Sequence, residues 1–491
     1  MPRMPAISFG RRGEVPQMSV PLPQATIACH DRPMIDGRAG DGSLETEKAT
    51  GAGTAQLRTA TTLVVVAIAY AAAAHGAFYA RELAVVVVLV GIALIAAASV
   101  APLGRADLGA PAVAAMSLAA WYLVAGLIAG HPAGALPAVA LLFAMAAIVA
   151  VVRRADTAER EVLVLGVLAV GTFVALVGWA GVAWRSSPRA IADGGLWRAA
   201  STITYSNVTG SLTAALGLVA LDACRRRPRW YALLAFALLT GACATASRGA
   251  LIGLGVGTLV LVALQRRHFL AAAAPVVLGT LIATTALLPS MPATHHARPF
   301  IALLGLTAGA IVAVLPLRAV AACAAAIAVV ILVVPGPRNA TADAWRPIKD
   351  GRFTTSSPDR THELHAALHV AGDHPVVGVG PGNVDLRWNV VYLVRLGFHV
   401  HYVHDEYVQV LVEAGAIGLA IALAGLAAVV VTLWSARRSI DTAYRAGITA
   451  ALVAFAAQSA TDFLWHVPIV PLTAAVLVGL LSPERDRYEN F

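Results

Sequence analysis

The sequence predicts an all-α integral membrane protein with about 12–14 transmembrane helices. Three observations carry that prediction. The 491 residues are 58% hydrophobic and 13% charged, with a mean hydropathy of +0.74, whereas soluble domains carry about 25% charged residues. Ala/Val/Leu/Ile runs recur from residue 60 to 482, many near the ~20 residues that cross a bilayer. Arginines gather in short loops that all fall on one side when the spans are threaded in order, as cytoplasmic loops do.

Residues 1–58 are rich in Pro, Gly, Arg and Asp and lack apolar periodicity. They read as a disordered cytoplasmic tail, or as sequence upstream of the true start, with Met18 and Met34 as alternative initiators. No apolar h-region opens the chain, so no signal peptide is expected. The candidate spans follow at 60–79, 83–102, 109–129, 133–152, 162–184, 207–223, 231–246, 249–264, 269–289, 299–316, 319–336, 405–434, 446–463 and 467–482. Arg153, Arg154, Arg160, Arg225, Arg226, Arg227, Arg229, Arg266, Arg267, Arg318, Arg437, Arg438, Arg445, Arg485 and Arg487 then share one face. Both termini face inward, and the loops 185–206, 290–298, 337–404 and 464–466 face outward. The net charge of +9 is explained by these loops, and no nucleic-acid partner is expected.

The organisation expected is a tail at 1–58, an N-terminal membrane bundle at 59–336, a large outer loop at 337–404, C-terminal spans at 405–482 and a short tail at 483–491. Cys29, Cys224, Cys243 and Cys323 form no CxxC pair, which argues against a disulfide framework or a zinc site. Cys243 and Cys323 read as packing residues inside helices. The 337–404 loop holds about 68 residues, and loops of that length usually have a purpose. Within it, Ser357-Pro358-Asp359 precedes an apolar pattern at Leu364, Ala367, Leu368 and Ala371. That pattern predicts a capped amphipathic helix at the membrane surface. GVGPGN at 378–383 predicts a turn. No internal repeat is visible.

The chemistry-bearing residues cluster near the outer face. His404 stands where the long loop meets an apolar helix, and its ordinary pKa near ~6.5 suits a general base. Glu406, Gln409 and Glu413 follow at helical spacing on one face, with Glu413 about 10 Å along the axis from Glu406. Such a stripe faces the protein interior; it equally fits a solvated helix end with one carboxylate bonded to a neighbour. Gly415 and Gly418 allow close helix packing. Arg248, in the turn Ser247-Arg248-Gly249, and Arg360, at the start of the amphipathic helix, are candidate anion clamps through guanidinium fork geometry; alone, they also fit a snorkelling and a solvated arginine. His362, His365 and His369 share a helical face, and His399, His401 and His404 follow. No HExxH signature accompanies them, so no metal site is assigned.

At these residues the chain resembles the O-antigen ligase and polymerase family of bacterial membrane glycosyltransferases. The family motif is a histidine, a polar residue, nine others, then glycine, two residues and glycine; here it runs His404, Asp405, Glu406 to Ala414, Gly415, Ala416-Ile417, Gly418. The family more often has Asn, Ser or Gln at the position of Asp405, and often Thr at Leu419. Ser206-Asn207, Ser247-Arg248-Gly249, Arg360 followed by HPVVGVGPGN, and Asp462-Phe463 with His466 and Pro468 resemble further family landmarks in order; a frequent tryptophan is His365 here. The resemblance runs from about residue 200 to 480.

The resemblance implies a GT-C-type architecture and an inverting glycosyl transfer needing no metal or cofactor. The donor it implies is a glycan on an undecaprenyl diphosphate carrier, presented on the periplasmic face of the bacterial inner membrane. The acceptor is a hydroxyl of lipid A core or of another glycan, in lipopolysaccharide or other surface polysaccharide assembly; repeat-unit polymerisation and protein O-glycosylation use the same scaffold. It implies that His404 is the catalytic base and that Arg248 and Arg360 bind the diphosphate. Asp405, Glu413, Asn207, Asp462 and His466 are supporting residues, with Asp405 either raising the pKa of His404 or contacting the acceptor sugar. A transporter or flippase of lipid-linked glycans is the alternative class, and its internal symmetry and paired broken helices are not apparent in the sequence.

Overall fold

The computed structural model describes residues 42–265, 267–322, 325, 358–384, 402–436 and 444–482. Several sequence expectations lie outside these residues: Met18, Met34, Cys29, Cys323, Ser357, His399, His401, Arg266, Arg437, Arg438, Arg485, Arg487, most of the span 319–336 and much of the loop 337–404. The chain divides into two units, residues 1–50 and 51–491. In the first, residues 42–50 are helical.

The described residues of the second unit are helical almost throughout, as an apolar chain crossing a membrane must be, since helices satisfy every backbone group internally. Its helices are α1 Gly53–Ala73, α2 Ala80–Ala98, α3 Arg105–Ile128, α4 Pro132–Arg154, α5 Thr157–Trp184, α6 Ser206–Ala223, α7 Pro228–Ala244, α8 Arg248–Gln265, α9 Arg267–Leu287, α10 Pro299–Ala313, α11 Pro358–Asp373, α12 Glu406–Ala436, α13 Arg445–Ser459 and α14 Ile469–Leu480. Among the described residues, eight helices are long and apolar enough to cross a bilayer, including α1 to α5, α8 and α12. The all-α membrane class is therefore what the chain adopts.

Two expectations need correction, and one loop carries structure that was not predicted. Residues 51–58, assigned to a disordered tail, are helical. The outer loop 185–206 carries a two-stranded antiparallel hairpin, β1 Ala190–Asp193 and β2 Leu196–Ala199. Its turn is Gly194-Gly195, with φ of 56° and 76°, the positive pair that a two-residue hairpin needs. Helix α11 forms where predicted, but its inner face (Glu363, Ala367, Val370, Ala371) is buried against Val379, Val384, Val403 and Val412. Helix α11 therefore packs into the protein, and Leu368, expected on that face, points outward.

At the end of the bundle with the basic loops, arginines terminate helices. Arg154 donates to the carbonyls of Ala97 and Ala101, each at 2.7 Å, and pairs with Asp107 at 2.8 Å. It thereby satisfies carbonyls that the end of α2 leaves open. Asp222, buried near the end of α6, accepts from Arg225 Nη2 and Gly447 N, each at 2.7 Å, and from Gln265 Nε2. One carboxylate thus ties α6, α8 and α13 together. Removing it strands a buried amide and a backbone N–H. Asp222→Ala is expected to destabilise the protein by about 2–4 kcal/mol, read as a lowered thermal unfolding midpoint in detergent; an unchanged midpoint would contradict the clamp.

Candidate functional site

The site is built around a break in α12. Gly415 has φ 65° and ψ −169°, a conformation open to glycine alone at low cost. A Cβ there would sit 2.2 Å from the carbonyl oxygen of Val376. The break interrupts the helix ladder, and the carbonyls just before it find partners elsewhere. Val379 N donates to Val412 O and Gly380 N to Glu413 O, each at 2.9 Å. The Trp121 indole donates to Ala414 O at 2.8 Å. Gly418 leaves room for that indole, since a Cβ would approach Trp121 Cδ1 to 3.2 Å. Ala416 N returns a bond to Pro375 O at 2.8 Å. The two glycines do more than allow helix packing: one opens the helix and the other admits the tryptophan that seals it.

The docked 375–383 segment follows directly from α11, which presents Arg360 and Glu363 one turn apart. The Glu363 carboxylate meets His404 Nδ1 with its two oxygens at 2.9 and 2.8 Å. Glu363 is buried while the His404 side chain keeps 32% of its exposure. With Nδ1 committed to the carboxylate, Nε2 is the nitrogen left for chemistry. The ring of His404 stands edge-on to Phe463, centroids 5.3 Å apart. Arg360 donates to the carbonyl of Thr461 at 2.8 Å. Gly249, beside Arg248 at the start of α8, abuts the same residue: a Cβ there would lie 2.7 Å from Thr461 Oγ1. Both arginine-bearing segments therefore converge on the turn between α13 and α14.

That turn is held by a buried network. Asp462 accepts from Tyr205 OH at 2.7 Å, from its neighbour Phe463 N at 3.0 Å, and from Asn207 Nδ2. Asn207 Oδ1 accepts from Arg198 Nη2 at 2.7 Å, and Arg198, on β2, also donates to Thr245 O at 2.9 Å and to Asp193. Burial, reinforced by the charge of Asp462, pushes the Tyr205 phenol well above its usual pKa, so it remains a donor. Phe463 stacks between Tyr205 and Tyr402, with centroids 5.3 Å away on each side.

Glu406, Gln409 and Glu413 are all buried. His466 lies between the two acids, Nδ1 2.8 Å from Glu406 Oε1 and Nε2 3.7 Å from Glu413 Oε2. Glu406 also accepts from Trp465 N at 2.9 Å and Glu413 from Gly382 N at 3.3 Å. Burial alone would lower the pKa of His466, but Glu406 and then Glu413 hold it well above its ordinary value. Beyond this cluster an apolar cavity of about 320 Å³ runs among α3, α4, α12 and α14, its lining including Tyr122, Met145, Leu426 and Pro471.

Asp405 has a structural part beyond the roles expected of it. Its Oδ1 accepts from Tyr407 N at 3.0 Å and Val408 N at 3.1 Å, so it caps the N-terminus of α12. Burial raises its pKa, against the pull of those two N–H groups. The carboxylate that engages His404 is Glu363, which sequence reasoning did not single out; its only signal was its place one turn after Arg360. Tyr205, Phe463, Tyr402 and Arg198 were also missed. His362, His365 and His369 lie on the exposed face of α11, and among the described residues no group of His, Cys, Asp or Glu is arranged to hold a metal.

A protein-family model described as O-antigen ligase matches residues 287–423, a segment holding Arg360, Glu363, His404, Gly415 and Gly418. The match supports assigning the chain to that family, and O-antigen-ligase-like glycan transfer at a membrane with it. No curated protein matches the chain. If Asp405 serves as a cap, Asp405→Asn keeps stability within a few tenths of a kcal/mol while Asp405→Ala loses about 1 kcal/mol. Thermal unfolding of the two variants checks this, and equal losses would reject the assignment.

Proposed function

We propose, from the O-antigen ligase family assignment and the site geometry together, that the chain transfers a glycan from an undecaprenyl diphosphate carrier to an acceptor hydroxyl on the periplasmic face of the inner membrane. The observation that carries the proposal is the Glu363–His404 pair, set beside the turn on which the Arg248 and Arg360 segments converge. A buried carboxylate on one imidazole nitrogen and a partly exposed second nitrogen is the arrangement of an oriented general base.

In the proposed reaction His404 Nε2 takes the proton from the acceptor hydroxyl, and Glu363 stabilises the imidazolium that forms. The acceptor oxygen bonds to the anomeric carbon as the bond from that carbon to the phosphate oxygen breaks. The diphosphate leaves with the electron pair, and Arg248 and Arg360 stabilise the charge that develops on it. A single displacement inverts the anomeric configuration. The two guanidinium groups supply the positive charge for the leaving group, and no metal is assigned a step. Asn207, Asp462 and His466 hold Phe463 and the α13–α14 turn in place. The apolar cavity offers the polyprenyl chain a path between helices. The arginine-rich loops at the opposite end of the bundle favour the outward orientation of the site. The acceptor is another glycan or lipid A core, and a bilayer surrounds the bundle.

The test uses purified protein with polyprenyl-diphosphate glycan and candidate acceptors. His404→Ala is expected to lower transfer by about 10²–10⁴-fold. Glu363→Gln forfeits part of that, roughly tenfold to a hundredfold, mainly in kcat, while Glu363→Asp recovers some of it. NMR of the product should show inversion, and a chelator should leave the rate unchanged. Unimpaired transfer by His404→Ala would remove the mechanism. Movement of the lipid-linked glycan across liposomes, with no transfer to any acceptor, would favour a transporter.

A further inference from the structure

A second cavity lies away from this site, at the end of the bundle with the basic loops. It measures about 550 Å³ and is walled by α5, α7 and α10, through Leu165, Leu176, Leu234, Phe236 and Ala310. The wall is mostly apolar, with Thr172 and Tyr231 as its other polar side chains, and at its mouth Arg227 and Trp230 line it. Trp230 is 72% exposed, a placement suited to the headgroup level of a bilayer, where tryptophan anchors helices.

The mouth sits in the Arg225–Arg229 cluster. Arg225 is paired with Asp222 at 2.7 Å, and Arg226 lies over the Tyr444 ring at 4.8 Å. The exposed Arg227 has Glu161 at 3.9 Å, too long and too solvated to neutralise it firmly. Arg229 is exposed next to Trp230. The acids facing this patch are Asp222 and Glu161, so four arginines leave it net positive. The depth of the groove is informative. From Leu165 to Leu176 along α5 it extends about 16 Å, close to the ~15 Å of one leaflet of a bilayer core.

We infer that this groove is a binding site for an anionic phospholipid, with its phosphate on Arg227 and Arg229 and one acyl chain between α5, α7 and α10. The length selects a leaflet lipid over a polyprenyl chain, and the charge at the mouth selects an anionic headgroup over a zwitterionic one. The site is independent of the glycan-transfer reading, because no residue of the His404 site lines it.

The experiment titrates delipidated full-length protein in detergent with phosphatidylglycerol, phosphatidylcholine and glycerol 3-phosphate, and reads retained lipid by native mass spectrometry. Phosphatidylglycerol is expected to be retained over phosphatidylcholine. Arg227→Gln with Arg229→Gln should weaken its retention by roughly fivefold per arginine removed. Ala310→Phe, which fills the groove, should weaken it too, whereas Arg318→Gln, at an exposed arginine outside the groove, should leave it unchanged. The thermal midpoint of each variant in phosphatidylcholine confirms its fold, and the arginine pair, being exposed, decides the matter if Ala310→Phe misfolds. Equal retention by wild type and the arginine double variant would overturn the proposal. So would equal retention of the two phospholipids, or competition by glycerol 3-phosphate as effective as that of the tailed lipid.

Discussion

A backbone carbonyl inside a membrane bundle must find a donor, and the break at Gly415 creates several that have lost theirs. The rest of the site follows from how that need is met. Val379 and Gly380 supply two N–H groups and Trp121 supplies its indole. Meeting the first two requires the 375–383 segment to lie in the gap, and that segment fixes the end of α11. Helix α11 then has little freedom in where it puts Glu363 and Arg360. The spacing from His404 to Gly415 and Gly418 therefore has a mechanical meaning. It sets three turns of helix between the histidine and the break into which the carboxylate-bearing element is plugged.

A second line of support reaches the same histidine from the other side. It runs from the β hairpin through Arg198 to Asn207, then to Asp462, and through Phe463 to the edge of the His404 ring. Each step is a buried hydrogen bond or a ring contact. Such networks hold geometry well when fully satisfied and fail sharply when one member is removed. Asn207 and Asp462 thus act at a distance from the chemistry by fixing the face against which the imidazole rests.

The spans were legible because hydrocarbon imposes a long apolar run that little else in a sequence imitates. Of the predicted spans, 405–434 coincides with α12 and 249–264 with α8 almost to the residue. His404, Arg248 and Arg360 were legible as polar groups at helix mouths. Glu363 was not, because on an amphipathic helix a buried glutamate and a solvated one look alike until the partner is known. The apolar pattern named Leu364, Ala367, Leu368 and Ala371; Ala367 and Ala371 are buried together with Val370, whereas Leu368 points outward. The hairpin was hidden by the brevity of its strands, although Asp193-Gly194-Gly195 is a recognisable turn signal. Asp405 drew attention through its position beside His404, which hid the meaning of its position before a helix, where aspartate is a preferred cap.

The concentration of acids around the motif looks at first hostile to an anionic donor. Asp405, Glu406, Glu413 and Glu363 would present four negative charges beside a diphosphate. Each, however, has a local counterpart. Asp405 faces two N–H groups at the positive end of α12, and burial raises its pKa. Glu406 and Glu413 share His466, whose pKa they raise, and take one backbone N–H each. Glu363 is bound to the His404 imidazole, which in the proposed reaction would become cationic on taking the acceptor proton. On the proposed mechanism the charge of that last pair would change in the direction catalysis needs: most negative before proton transfer, when a base is wanted, and neutral afterwards, when the diphosphate would depart. On that reading the field of the acids would weaken as the leaving group gathers its own charge.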